Sequence, residues 1–287
     1  MSGTIRYGSA AAVTSRAPSP IIWDDCPVST YLADPAAGIH KFDDFKNSTL
    51  GIAHATDFIS GLGAIAGDIN WYVYCQSDKQ ADVALQADDD GVLFLQTDGT
   101  DADETVITTG GNAGGLFKTP SIGTPAKGLW FEARIKAVSI TDGDAGFFVG
   151  LAQPGEAKDS GGCLGGDASS LADVDYIGFV QLSGDGDALK YAYNEATSGT
   201  AQSGAAKTIA AATWYRLGFK VDRLKGEVRF FVDGVDLGDT AAIDISATNA
   251  NFPSATDMDV VIGFTADGTA ADADGIYVDW VRVAREY

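Results

Sequence analysis

The sequence predicts an all-β sandwich, and three observations carry that prediction. Short apolar runs alternate with polar residues at a period of two. Gly, Asp, Ser or Thr punctuates them, and the 3.6-residue period of an amphipathic helix is almost absent. Many short strands with no helices to pack on them close their cores by packing sheet on sheet.

In order along the chain, residues 1–40 carry Pro18, Pro20, Pro27 and Pro35 among small residues with no sustained period. They read as an extended N-terminal arm, and residues 41–287 as the sandwich. Ile69, Trp71, Val73 and Cys75 then alternate with Asn70, Tyr72, Tyr74 and Gln76, which is a strand with one buried face. Strand-like runs follow at 91–97, 105–109, 129–138, 146–152, 176–182, 189–194, 214–222, 226–234, 258–265 and 275–283. The clearest unit is the hairpin WYRLGFKVDRLKGEVRFFVDG: Tyr215, Leu217, Phe219 and Val221 share one face, Val228, Phe230 and Val232 another, and the connection closes at Gly226. Asp233-Gly234 adds a tight turn, because Gly accepts the positive φ such turns require.

Composition narrows the function. The 287 residues are 45% hydrophobic, enough for a sizeable core. The net charge of −21 repels the phosphates of nucleic acids and anionic lipid surfaces, so neither is an expected partner. The acids are 34 Asp and 6 Glu, and Asp with Gly belongs in turns, so most of this charge decorates loops. Neither a secretory leader pattern nor an apolar run of membrane-spanning length is present. Cys26, Cys75 and Cys163 are an odd number at unrelated spacings and read as reduced thiols made in a cytosol.

The hairpin at 214–234, with its aromatic opening, charged turn and FFVDG, resembles the matching hairpin of laminin-G-like and other concanavalin A-like domains. GIYVDWVRV (275–283) resembles the closing strand of family 16 glycoside hydrolases, and GLWFEARIKAV followed by GFFVGLA resembles their central strand pair. The likeness is clearest over 115–284 and implies a concanavalin A-like jelly roll. The order HKFDDF, INWYVY, GVLFLQTDGTDADET, FKTPSIG, FEARIKAV is also similar to phage structural proteins encoded near capsid genes. That resemblance implies a virion component.

Catalytic sets are missing where the resemblance would place them. Family 16 enzymes present Glu-x-Asp-x-(x-)Glu on one strand so that alternate carboxylates face the scissile bond. Here the six Glu residues are scattered. Glu132 shares its strand face with Arg134 and Lys136 and reads as part of a solvated charged face. His40 and His54 have no partner at metal-ligand spacing, and no GxSxG elbow occurs. Asp pairs recur in loops at 88–90, 142 and 144, 185 and 187, and 272 and 274; should calcium bind, Asp272 and Asp274 before Gly275 are its expected ligands. Trp23, Trp71, Trp130, Trp214 and Trp280 are candidates for a sugar platform; packing is the expectation for Trp71, Trp214 and Trp280, and Trp130 is left open.

The resulting expectation is a non-enzymatic phage virion protein, assembled in the host cytoplasm. As a capsid decoration or cement protein it would bind the major capsid protein and its own copies. Ile21, Ile22, Trp23, Tyr31 and Leu32 of the arm would dock on a neighbour, and removing residues 1–35 would leave the sandwich folded with little loss of melting temperature. A tail, baseplate or fibre component, a module binding host glycans, and a divergent glycoside hydrolase are the alternatives.

Overall fold

A computed structural model describes residues 16–45, 53–54, 71–75, 83–86, 91–97, 101–110, 115–123, 127–155, 163–166, 168–197, 199–267 and 274–287. After two short helices, α1 (Pro20–Trp23) and α2 (Val28–Ala33), the chain is built of strands: β1 (Gly38–Asp43), β2 (Ala53–His54), β3 (Tyr72–Cys75), β4 (Val83–Gln86), β5 (Val92–Gln96), β6 (Glu104–Thr108), β7 (Phe117–Lys118), β8 (Leu129–Ala137) and β9 (Ala145–Ala152). They continue as β10 (Tyr176–Gln181), β11 (Ala188–Asn194), β12 (Gln202–Thr208), β13 (Tyr215–Asp222), β14 (Glu227–Val232), β15 (Val235–Asp236), β16 (Ile243–Asp244), β17 (Asp257–Ala266) and β18 (Gly275–Glu286). Among the described residues, no helix is long and apolar enough to cross a membrane.

Two sheets form. The first runs β15-β14-β13-β8-β18-β5-β4, with β1 on β18 and β16 on β14. The second runs β12-β11-β10-β9-β17-β6-β3-β2, with β7 on β17. The strands alternate as the sequence predicts. In β8, Leu129, Phe131, Ala133 and Ile135 enter the core between the sheets, while Trp130, Glu132, Arg134 and Lys136 face outward. The core is aromatic where the predicted hairpin faces its opposite sheet: Phe131 stacks on Phe219, and Phe230 meets Phe219, Phe179 and Tyr191. Asp233 and Gly234, at φ 54 and 76, form the tight turn between β14 and β15. Two positive-φ residues in succession match the right-handed twist of the strands they join.

The outer face of the second sheet is covered too. Val106, Phe148, Tyr176, Val180 and Val261 pack under Cys163, Leu164, Ala168 and Val174 of the β9–β10 connection.

The N-terminal segment departs from the expected extended arm. Residues 1–15 lie outside the described residues, but from Arg16 the chain folds back as a strap across the outer face of the first sheet, and β1 then pairs with β18 from Gly38↔Glu286 to Asp43↔Val281. Ile22, Trp23 and Tyr31 are buried against Trp130, Phe231 and Ala284. These side chains, expected to dock on a neighbour, find their burial within their own chain, because the outward Trp130 and Phe231 supply an apolar seat. Ile21 and Leu32 are exposed. Gly218 makes the seat possible: a Cβ there would stand 2.6 Å from Ile22 Cδ1 and 2.8 Å from the Phe131 carbonyl.

Candidate functional site

The outer face of the first sheet is a grid of side chains, in register rows across β13, β8, β18 and β5. Its rows are Lys220–Trp130–Ala284, Gly218–Glu132–Arg282, Arg216–Arg134–Trp280, and Lys136–Tyr277–Phe94 with Trp214 at the entry to β13. A β-bulge between Val278 and Trp280 inserts Asp279 and puts it on this face together with Trp280. An extra residue in one strand re-aims its neighbours in this way.

The strap covers the first three rows. Glu132, expected on a solvated face, is fully buried: its carboxylate accepts the Ser19 backbone N–H at 2.9 and 3.1 Å and the Trp23 indole N–H at 2.7 Å. Burial pushes its carboxyl above the usual carboxylate range, with those donors and Arg216 opposing. Asp279, also buried, is paired with both Arg16 and Arg134. Trp280 donates to the Arg16 carbonyl, Arg216 to the Ala17 carbonyl, Lys220 to the Ile21 carbonyl, and Trp130 to Asp25. Trp130, left open by the sequence, is therefore a buried seat. Arg282 lies 4.0 Å over the Trp23 ring and donates to His40 Nε2 at 3.0 Å; burial first, then the Arg282 charge, lowers the His40 pKa to about 4. The imidazole is held neutral.

Residues 16–45 do not cover the fourth row, and three of its side chains are partly exposed among the described residues. Lys136 Nζ sits 4.2 Å from the centre of the Tyr277 ring and 4.9 Å from that of Trp214, Arg134 lies 4.3 Å over Trp214, and Tyr277 stacks on Phe94 at 4.4 Å. Trp214, Lys136 and Tyr277 are all partly exposed. Trp214, for which packing is the expectation, is the residue before β13 and lies partly exposed at the rim of the sheet. Tyr277 carries one sequence signal, its outward place in the alternation of 275–283.

The other expected positions do not converge on this row. Asp272 and Asp88–Asp90 lie outside the described residues, and Asp274 is buried at the start of β18. Among the described residues, no three His, Cys, Asp or Glu side chains come together as a metal site. Cys26 is half-buried, and Cys75 and Cys163 are buried. On the second sheet, Asp259 is buried beside Gly110. One of its oxygens faces the Leu116 N–H at 3.2 Å and the Thr109 hydroxyl at 3.3 Å, the other has no hydrogen-bond partner, and burial raises the pKa to about 6.

No family model matches the chain, and no curated protein matches it. Among solved structures it is similar to a protein of unknown function, SO2946, from Shewanella oneidensis MR-1, at 13% identity and TM-score 0.52, covering 88% of this chain and 87% of that one. It is similar to an endo-1,3-beta-glucanase from Streptomyces sioyaensis at 15% identity and TM-score 0.51, covering 88% and 98%. It is also similar to the Emp47p carbohydrate recognition domain at 12% identity and TM-score 0.50, covering 75% and 88%. At these identities the likeness is one of fold, and the fold is the concanavalin A-like jelly roll to which the hairpin and the closing strand pointed.

Proposed function

We propose that the chain is a non-enzymatic carbohydrate-binding module whose ligand lies on Trp214, Lys136 and Tyr277, with Phe94 buried against the Tyr277 ring. The observation that carries this reading is the end of the sheet face that none of the described residues covers. There, Trp214 and Tyr277 hold a lysine between them. Ring faces offer apolar surface to the C–H faces of sugars, and a few fixed polar groups beside them supply orientation. Two solved structures of the same fold, named as a glucanase and a carbohydrate recognition domain, add support. Hydrolysis is not part of the reading. A glycosidase needs two carboxyl groups free to face one bond. The buried acids of this face, Glu132 and Asp279, are occupied by Ser19 and Trp23 and by Arg16 and Arg134. Saturable binding on a glycan array, lost in Trp214→Ala with an unchanged melting curve, is the expected result. An array on which the wild-type chain binds no spot overturns it.

A second reading, the virion decoration protein, rests on a different observation. Among the described residues, β12 ends the second sheet and pairs with β11 alone, and Ser203, Ala205, Lys207 and Thr208 along it are exposed. An open edge of small residues is a template on which another chain can add a strand. Co-sedimentation with capsids, abolished by Ala205→Pro, would favour assembly over glycan binding; a chain that leaves capsids in the supernatant would count against it.

A further inference from the structure

Resting on the glycan reading, we infer that the ligand of this row is an acidic glycan, one that carries carboxylate or sulfate groups. The charge arrangement points there. The chain as a whole bears −21, yet among the described residues this aromatic row holds a lysine between its rings. Lys136 is flanked by Tyr277 on one side and Trp214 on the other, and among the described residues no carboxylate pairs with it. Arg134 lies over the same indole and pairs with the buried Asp279. The charge that faces the two rings is therefore that of Lys136.

A lysine gripped between two rings gains from cation–π attraction and loses little further freedom when it meets an anion. A neutral sugar would use the rings and leave this ammonium without a countercharge. A uronate or a sulfated sugar satisfies both: its ring stacks on the exposed edge of Trp214 or Tyr277 and its anion meets Lys136. Contact pairing of this kind acts within a few ångströms. Charges farther than about 8 Å are screened at physiological ionic strength, so groups in contact with Lys136 decide the local sign.

Affinity electrophoresis of the full chain through gels containing alginate, chondroitin sulfate or laminarin tests this directly. Retardation is expected in one or both acidic gels at far lower polymer concentration than in laminarin. Lys136→Met keeps the aliphatic stem between the rings and removes the charge. It is expected to weaken acidic-gel binding about tenfold, the size of one charge-assisted contact, with an unchanged melting curve. Equal retardation in laminarin and the acidic gels, or no effect of Lys136→Met, overturns the acidic assignment and leaves the glycan reading standing. Migration unchanged in all three gels, together with a silent array, overturns both.

Discussion

The indole N–H of Trp23 donates to Glu132 Oε2 at 2.7 Å, tying a residue of the strap to one that follows it by 109 positions. Glu132→Ala strands this donor and the Ser19 N–H beneath the strap. Leaving buried donors unmet costs about 1–3 kcal/mol each, so the urea midpoint of the alanine variant is expected to fall clearly. Glu132→Gln, which keeps one acceptor oxygen, should fall less. Equal midpoints for all three proteins would show that the strap is not seated on Glu132.

Trp23 itself fills the seat beside Trp130. Truncating a buried tryptophan to alanine costs about 3–5 kcal/mol, which for a chain of this size lowers the melting temperature by about 10 °C. Deleting residues 1–36 should do at least as much. An arm that merely projected to a neighbour would leave the melt of the isolated protein unchanged.

Gly218→Ala places a methyl group where Ile22 Cδ1 and the Phe131 carbonyl already lie. The strap must lift, at a cost of about 1–3 kcal/mol. Limited proteolysis is expected to cleave the variant first within 16–33, whereas an unchanged cleavage pattern would mean that the face accommodates the added carbon.

Asp259 predicts a pH dependence. Its folded pKa of about 6 lies above the ordinary aspartate value of 3.8, so the folded chain holds the proton more tightly than the unfolded one. The sign follows: stability is greatest below pH 4 for this group and falls as pH rises toward 6, by roughly 2–3 kcal/mol. Asp259→Asn keeps an acceptor for the Leu116 N–H and removes the ionisation. Its unfolding free energy should lose that decline and exceed the wild-type value at pH 8; parallel pH profiles for the two proteins would contradict the assignment.

The strands were legible because period-two alternation survives in each of them, and the Asp233-Gly234 turn because few residue pairs accept two positive φ angles. β12 escaped notice because Gln202–Thr208 has no large apolar side chain to mark a face. α1 and α2, of four and six residues, are too short to show a helical period, so their prolines read as an extended arm. The alternation in β8 correctly places Trp130, Glu132, Arg134 and Lys136 on one face. Which of them are covered depends on where the strap runs, more than a hundred positions earlier in sequence, and local pattern holds no record of that. The same holds for the row at Lys136, whose exposure among the described residues depends on that path.

The pairing of β18 also orders events in time. This strand sits between β8 on one side and β5 and β1, end to end, on the other, and the contact between His40 and Arg282 spans 242 positions. The ribosome makes β18 after every strand it joins. Until Gly275–Glu286 emerges, β8 and β5 stand apart, β1 has no partner, and the strap lacks Asp279, Trp280 and Arg282. The first sheet is therefore completed only after this last strand is released, and long-range pairing of this kind slows folding. A nascent chain halted before Gly275 would display the bare edges of β5 and β8 together, a vulnerable state that chaperones would have to shield.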